Sequence, residues 1–93
     1  MEQLERIKDM ERRMERAAKA VIRLSAALED YEAVQGDIYA LSEYYGSKEW
    51  KQDFADDEAG RLPADLKRGV LSEDAIWNLL SDAHELDNRL IKP

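Results

Sequence analysis

Cysteine is absent from the chain. That excludes disulfide frameworks, thiolate zinc sites and cysteine nucleophiles, and it suits a reducing compartment. Histidine occurs once, at His84, so a His-rich metal centre cannot be assembled, and a Ser-His-Asp relay has a single imidazole to draw on. Two prolines and four glycines leave long stretches with no helix breaker. No apolar run approaches the roughly 20 residues that cross a bilayer. The opening Met1-Glu2-Gln3 leads into charged sequence and not into an apolar signal core. A cytoplasmic protein with no membrane partner is expected. At 93 residues it makes one small domain, 1–93, near the size at which burial is marginal unless helices pack closely or chains associate.

Charge is plentiful and uneven. The formal net charge is −7. Residues 1–28 carry seven Lys/Arg against five Asp/Glu, whereas residues 29–93 carry seven against sixteen. An acidic balance of this kind argues against nucleic-acid binding, which relies on clustered positive charge facing phosphates. It also lets the basic first arm attract the acidic remainder.

From Ile7 a stripe of apolar or small residues runs through Met10, Met14, Ala17, Val21, Leu24, Leu28, Tyr31, Ile38 and Tyr45 in steps of three and four, with Gln35 and Ser42 as polar interruptions. This is the seam of a coiled-coil-like helix. Acids precede bases by four residues at Glu2/Arg6, Asp9/Arg13 and Glu15/Lys19, each pair favouring a solvated helix by roughly 0.2–0.5 kcal/mol. The pattern predicts a helical arm over residues 1–45, with Gly36 as the place for a bend or break. A helix of that length measures roughly 65 Å, more than a domain this small can cover. Either the chain bends, or the middle folds back, or a second chain completes the core.

Residues 46–72 form a turn-rich connector. Gly46 is expected to end the first helix in a left-handed conformation, with Ser47 capping a short middle helix from Lys48 to about Ala59 whose apolar face is Trp50 and Phe54. Gly60 suits its C-terminus. The crowded acids Asp56, Asp57 and Glu58 need cations there, and Arg61, Lys67 and Arg68 are at hand. Pro63 to Arg68 reads as a one-turn element ended by Gly69. Ser72 then caps a C-terminal helix over 73–92, with Leu71 placed to pack on Ile76. Ile76, Leu79, Ala83, Leu86 and Leu90 repeat the three-four spacing, widened by Trp77 and Leu80. The expected fold is therefore all-α: a long N-terminal helix packed antiparallel on a C-terminal helix, with a short middle helix and the connector between.

The central stretch resembles a family of small, mostly bacterial helical proteins known as domain of unknown function 4298. The residues that carry the resemblance are Tyr44-Tyr45-Gly46-Ser47, Leu62-Pro63, Asp65-Leu66-Lys67-Arg68-Gly69-Val70-Leu71-Ser72-Glu73-Asp74 and Asn78-Leu79-Leu80. They span roughly the middle two fifths of the chain, and the arms agree in helical character and length. The resemblance implies an all-helical intracellular bacterial or phage protein with no assigned activity, and so no family catalytic residues. This chain has Ala75 after the Ser-Glu-Asp run where a glycine is the family's residue, which implies a better helix there.

Several constellations compete with plainer readings. Glu29-x-x-Glu32 and Asp53-x-x-Asp56 are similar to the paired carboxylates with which helical nucleotide pyrophosphatases hold Mg²⁺. The second pair starts with Asp where that motif starts with Glu, and twenty-one acids generate such spacings readily, so a solvated acidic face is the preferred reading. Arg6, Arg12, Arg13, Arg16, Lys19 and Arg23 are interleaved with Glu around the helix and read as an exposed charged surface. The acids show no regular track that would mimic DNA phosphates. His84 falls beside the main stripe as a flank residue. Tyr44, Tyr45, Trp50, Phe54 and Trp77 read first as core filling, yet Trp and Tyr also anchor interfaces.

The sequence thus points to a non-enzymatic protein–protein interaction or adaptor module that self-associates, with Tyr44, Tyr45, Trp50, Lys67, Arg68 and Trp77 as the candidate partner surface. No catalytic, cofactor-binding or metal residue is expected, and no cofactor. The alternative is a Mg-dependent nucleotide hydrolase built on the paired carboxylates. A small-molecule ligand is left open.

Overall fold

The computed structural model describes residues 2–91, of Ile91 the backbone alone. Among these residues the fold is four α-helices with no strand: α1 over Gln3–Ala33, α2 over Gln35–Tyr45, α3 over Lys48–Glu58 and α4 over Glu73–Ile91, with a 3-10 turn at Gly69–Leu71 before α4. The expected end of the last helix at Lys92 lies outside the described residues. The chain divides into two compact units, Met1–Gln35 and Gly36–Pro93. Antiparallel pairing of the two arms is a relation between these units, and neither contains it by itself.

The first unit is α1. Asp9 receives Arg13 at 2.9 Å one helical turn on and Arg12 at 3.4 Å, and the Arg13 hydrogen bond holds the Asp9 carboxyl below its ordinary pKa. The helix stops at Val34, two residues before the expected break at Gly36. Val34 turns to φ −101°, ψ 8°, and its N–H bonds to the Tyr31 carbonyl three residues back. The Gln35 side-chain amide donates to the same carbonyl at 3.1 Å, a local bond of the kind that competes with helix continuation. The polar interruption at Gln35, not glycine, marks the break. Along α1 no residue is buried: Ile7, Met10, Met14, Val21 and Leu24 stand 49–67% exposed.

The second unit builds a small core. Trp50, Leu71 and Ile76 are buried, and Leu41, Tyr44, Tyr45, Phe54, Leu62 and Leu80 pack around them half-covered. Leu71 and Ile76 thus meet as the staple predicts. Two caps fix the helix starts. Ser47 Oγ accepts the Trp50 N–H at 3.2 Å, and Ser72 Oγ accepts the Ala75 N–H at 3.3 Å.

Two turns differ from expectation. Gly46 keeps a negative φ; α2 ends instead by tightening, with Ser47 N–H on the Tyr44 carbonyl at 2.9 Å and Ser47 extended at φ −95°, ψ 164°. The one-turn helical element lies at Gly69–Leu71, not Pro63–Arg68, so Gly69 opens it where it was expected to close one. Pro63 to Leu66 is a bare turn, with Leu66 N–H on the Pro63 carbonyl at 3.2 Å. Burial decides the shift: Leu71 must reach the core from the residue before the Ser72 cap, and winding 69–71 brings it there.

Gly60 closes α3 as expected, in the left-handed region at φ 72°. Arg61 N–H reaches the Asp56 carbonyl at 2.9 Å and Gly60 N–H the Asp57 carbonyl at 3.0 Å, the paired bonds of a Schellman cap. Gly36, by contrast, is helical at negative φ, and both positions have open space where a Cβ would go. The difference is backbone alone. Gly60→Ala is expected to destabilise the fold by about 1–2 kcal/mol, and Gly36→Ala to stabilise it by about 0.5–1 kcal/mol, read as opposite shifts in the urea midpoint.

Candidate functional site

The central unit is organised by one hydroxyl and one indole. Ser47 Oγ donates to the Tyr44 carbonyl at 2.6 Å while accepting from Trp50 N–H, so a single side chain ties the last turn of α2 to the first turn of α3. That sharp reversal swings Trp50 inward. Its ring meets Tyr45 edge-on at 4.9 Å and 80° and lies stacked on Phe54 at 5.1 Å and 20°. Its Nε1–H donates to the Val70 carbonyl at 3.0 Å, inside the 3-10 turn. The apolar ring and its one polar atom are both satisfied, which is what a buried Trp requires.

The adjacent tyrosines reach opposite ways. Tyr45 O–H donates to Glu73 Oε1 at 3.2 Å, fastening the end of α2 to the first turn of α4 across 28 positions of sequence. Tyr44 O–H donates to the Asp53 carboxylate on α3. Partial burial first, and then the Asp53 carboxylate that accepts its hydrogen bond, push the Tyr44 phenol up to about 12. Tyr45 is raised too, by partial burial and then by Glu73.

Arginines answer the acids at the end of α3, as the sequence anticipates. Arg61 meets Asp56 at 2.9 Å and Arg68 meets Asp57 at 2.8 Å. Arg61 and Asp56 are also the two residues joined through the backbone by the Gly60 cap, so an ion pair stands where an apolar contact commonly sits. The Arg68–Asp57 bridge fastens the connector to α3 and is half-buried. Exposed pairs of this type contribute about 0–1 kcal/mol, and the partial burial of Arg68 favours the upper part of that range.

The six candidate surface residues therefore separate. Trp50 is a core residue at 7% exposure and cannot itself meet a partner. Tyr44, Tyr45 and Arg68 are half-buried and hold the unit together. Lys67 is exposed, and Trp77 is 55% exposed. What the sequence pattern missed is a shallow apolar groove of about 270 Å³ lined by Leu41, Gly69, Val70, Ala75, Ile76 and Leu79. A signal for it exists. Following the break at Val34, the apolar phase of α2 restarts as Ile38, Leu41 and Tyr45, so Leu41 and not Ser42 occupies the inward line.

The paired carboxylates fall in different units. Glu29 and Glu32 lie on α1 in the first unit, and Asp53 and Asp56 on α3 in the second. Asp53 accepts from Tyr44, and Asp56 accepts from Gln52 and Arg61. Among the described residues no group of three or more His, Cys, Asp or Glu is placed to hold a metal ion, and no helix is long and apolar enough to cross a membrane. His84 is exposed on α4.

The sequence profile described as domain of unknown function (DUF4298) matches residues 7–92. No curated protein and no solved structure matches the chain.

Two measurements check this geometry. In a tyrosinate absorbance titration, the late-ionising fraction near pH 12 is expected to vanish in Tyr44→Phe. Because the folded state holds the Tyr44 proton more tightly than the unfolded chain does, stability is expected to be unaffected by this group below pH 10 and to fall as pH rises from 10 towards 12. Trp50→Ala is expected to cost about 3–5 kcal/mol in denaturant unfolding. Trp50→Phe, which keeps the stack and loses the Val70 bond, should cost visibly less.

Proposed function

The chain belongs to the family of domain of unknown function 4298, whose description assigns no activity, and on that premise we propose that it is a non-enzymatic protein–protein interaction module that self-associates and presents its second unit as a rigid adaptor surface. One observation carries the reading: α1 holds 31 residues with a continuous apolar seam and not one of them buried. A helix gains most of its stability in water from packing its apolar face, and propensity with a few ion pairs contributes little beside that. An exposed apolar stripe of this length is the mark of an association surface.

The second unit supplies the adaptor surface. Its turns are fixed by side-chain bonds that leave Lys67, Trp77, Leu66 and Val70 outward on one well-defined scaffold. A rigid presentation of exposed aromatic, apolar and cationic side chains lowers the ordering cost of binding. To the same reading belongs the antiparallel packing of the N-terminal arm on α4, for which the support is the sequence: two three-four stripes and opposite charge balance. The second reading, a Mg-dependent hydrolase on Glu29, Glu32, Asp53 and Asp56, has against it that both α3 carboxylates are already engaged by Tyr44 and Arg61.

Light scattering on the full chain is expected to give a mass about twice the 10.7 kDa of one copy, and Val21→Glu is expected to return it to a monomer with the helical signal of α1 reduced. A strict monomer at millimolar concentration sinks the self-association. For the adaptor surface, affinity capture is compared between the native chain and a Lys67→Glu/Trp77→Ala variant, with Arg68 left to keep its bridge to Asp57. A protein partner lost in the variant supports the assignment, and identical capture by both moves the interface off the second unit.

A further inference from the structure

The open part of the seam has a definite extent. Ile7, Met10, Met14, Val21 and Leu24 are exposed together with Leu4 and Ile22, whereas from Leu28 onward the seam residues Leu28, Tyr31 and Ile38 are half-buried. The free stretch is thus residues 4–25. Written as heptads, Ile7, Met14 and Val21 hold one seam position and Met10, Ala17 and Leu24 the other. The residues flanking the seam change character halfway. In the first half they are long, the charged Arg6, Glu11 and Arg13 with the apolar Leu4 at the start; in the second half they are small and neutral, Ala18, Ala20, Ser25 and Ala27.

Resting on the self-association proposed above, we propose that this stretch pairs antiparallel with the same stretch of a second copy, about a twofold axis between Glu15 and Arg16. In that register Ile7 meets Leu24 of the second copy, Met10 meets Val21, and Met14 meets Ala17, so six apolar layers form with none polar and a large side chain covers the smallest. The flanks interlock as well. Arg13 lies over Ala20, Glu11 over Ala18 and Arg6 over Ala27, so each long charged chain lays its methylene stem on a small residue while its head stays in water.

Charge points the same way. Residues 9–15, with three acids and two bases, run beside residues 16–22, which carry Arg16 and Lys19 and no acid. A parallel pair would instead align the stretch 12–23, five bases and one acid, with its own copy. It would also set Ala17 against Ala17, leaving a gap between two well-filled layers, and would leave the small flanks of the second half with nothing to cover them.

The area suffices for a modest dimer. Taking roughly 60–120 Å² for each buried apolar side chain, six seam positions per chain bury roughly 700–1,400 Å² over the two copies. A specific interface begins at about 1,000–1,200 Å². The dimer is therefore at the small end of stable interfaces and is expected to dissociate on dilution through the micromolar range.

The absence of native cysteine makes a cross-linking test clean. Full-length Ile7→Cys and Leu24→Cys chains are oxidised separately and as an equal mixture after exchange, with Met10→Cys and Val21→Cys as a second pair. Positions 7 and 24 are 17 residues apart, roughly 25 Å along a helix, far beyond the 4.4–6.8 Å between Cα atoms that a disulfide tolerates. Antiparallel pairing in this register predicts a mixed product at least tenfold above either self-linked product, for both pairs. Self-linking of each chain alone, with little mixed product, shows a parallel dimer and overturns the inference while leaving self-association standing. A dimer by light scattering that links in neither pair overturns the register. A strict monomer overturns the self-association itself.

Discussion

The second unit depends on where the Trp50 indole goes. Everything that meets there comes from a different part of the chain: Tyr45 from the end of α2, Phe54 from the next turn of α3, the Val70 carbonyl from the 3-10 turn, and Leu71 and Ile76 from the approach to α4. A ring of that size has little freedom once it is stacked on one face, met at one edge and bonded through its only polar atom. The unit has few residues with which to build a core, so one large side chain with three constraints replaces many small contacts. The turn at Ser47 is the local device that makes the insertion available, since its hydroxyl closes one helix and opens the next within a single residue.

Around that ring the polar groups are used as fasteners. Tyr45–Glu73, Tyr44–Asp53 and Arg68–Asp57 each join segments that are not neighbours on one helix, and none of their charged groups is fully buried. Charge left at the surface avoids the desolvation cost of a buried ion pair and gives direction to a packing that apolar contacts alone leave loose. The acids at the end of α3 illustrate the economy. They sit where the helix dipole is unfavourable, and two arginines from the connector neutralise two of them while setting its path.

The first unit follows the opposite rule. Its apolar residues are as regular as any in the chain, yet none is fully buried, and only Leu28 and Tyr31 near its end are half-covered. The residues beside its seam change once, from long and mostly charged to small and neutral. The alanines of the second half favour helix by themselves, and under the proposed antiparallel pairing they also give the charged side chains of a second copy a surface to lie on.

Three helical segments, the first arm over 1–45, the short middle helix and the C-terminal helix, were legible from periodicity and punctuation: the three-four spacing of the first arm and of α4, the Ser caps at 47 and 72, and Gly60 at the end of α3. These are local signals, since a cap or a stripe is settled by residues within a turn or two of one another. The tertiary structure alone decided what depends on distant partners. It moved the helical turn from Pro63–Arg68 to Gly69–Leu71 so that Leu71 could reach Trp50, whereas the Ser47 closure that keeps Gly46 out of the left-handed region and the break at Val34 are local choices among several that the pattern left open. It also divided the candidate surface, drawing Trp50 into the core and leaving Trp77 outside. Sequence spacing says which residues share a helix face, but burial is set by what arrives from elsewhere in the chain, and no local pattern carries that information.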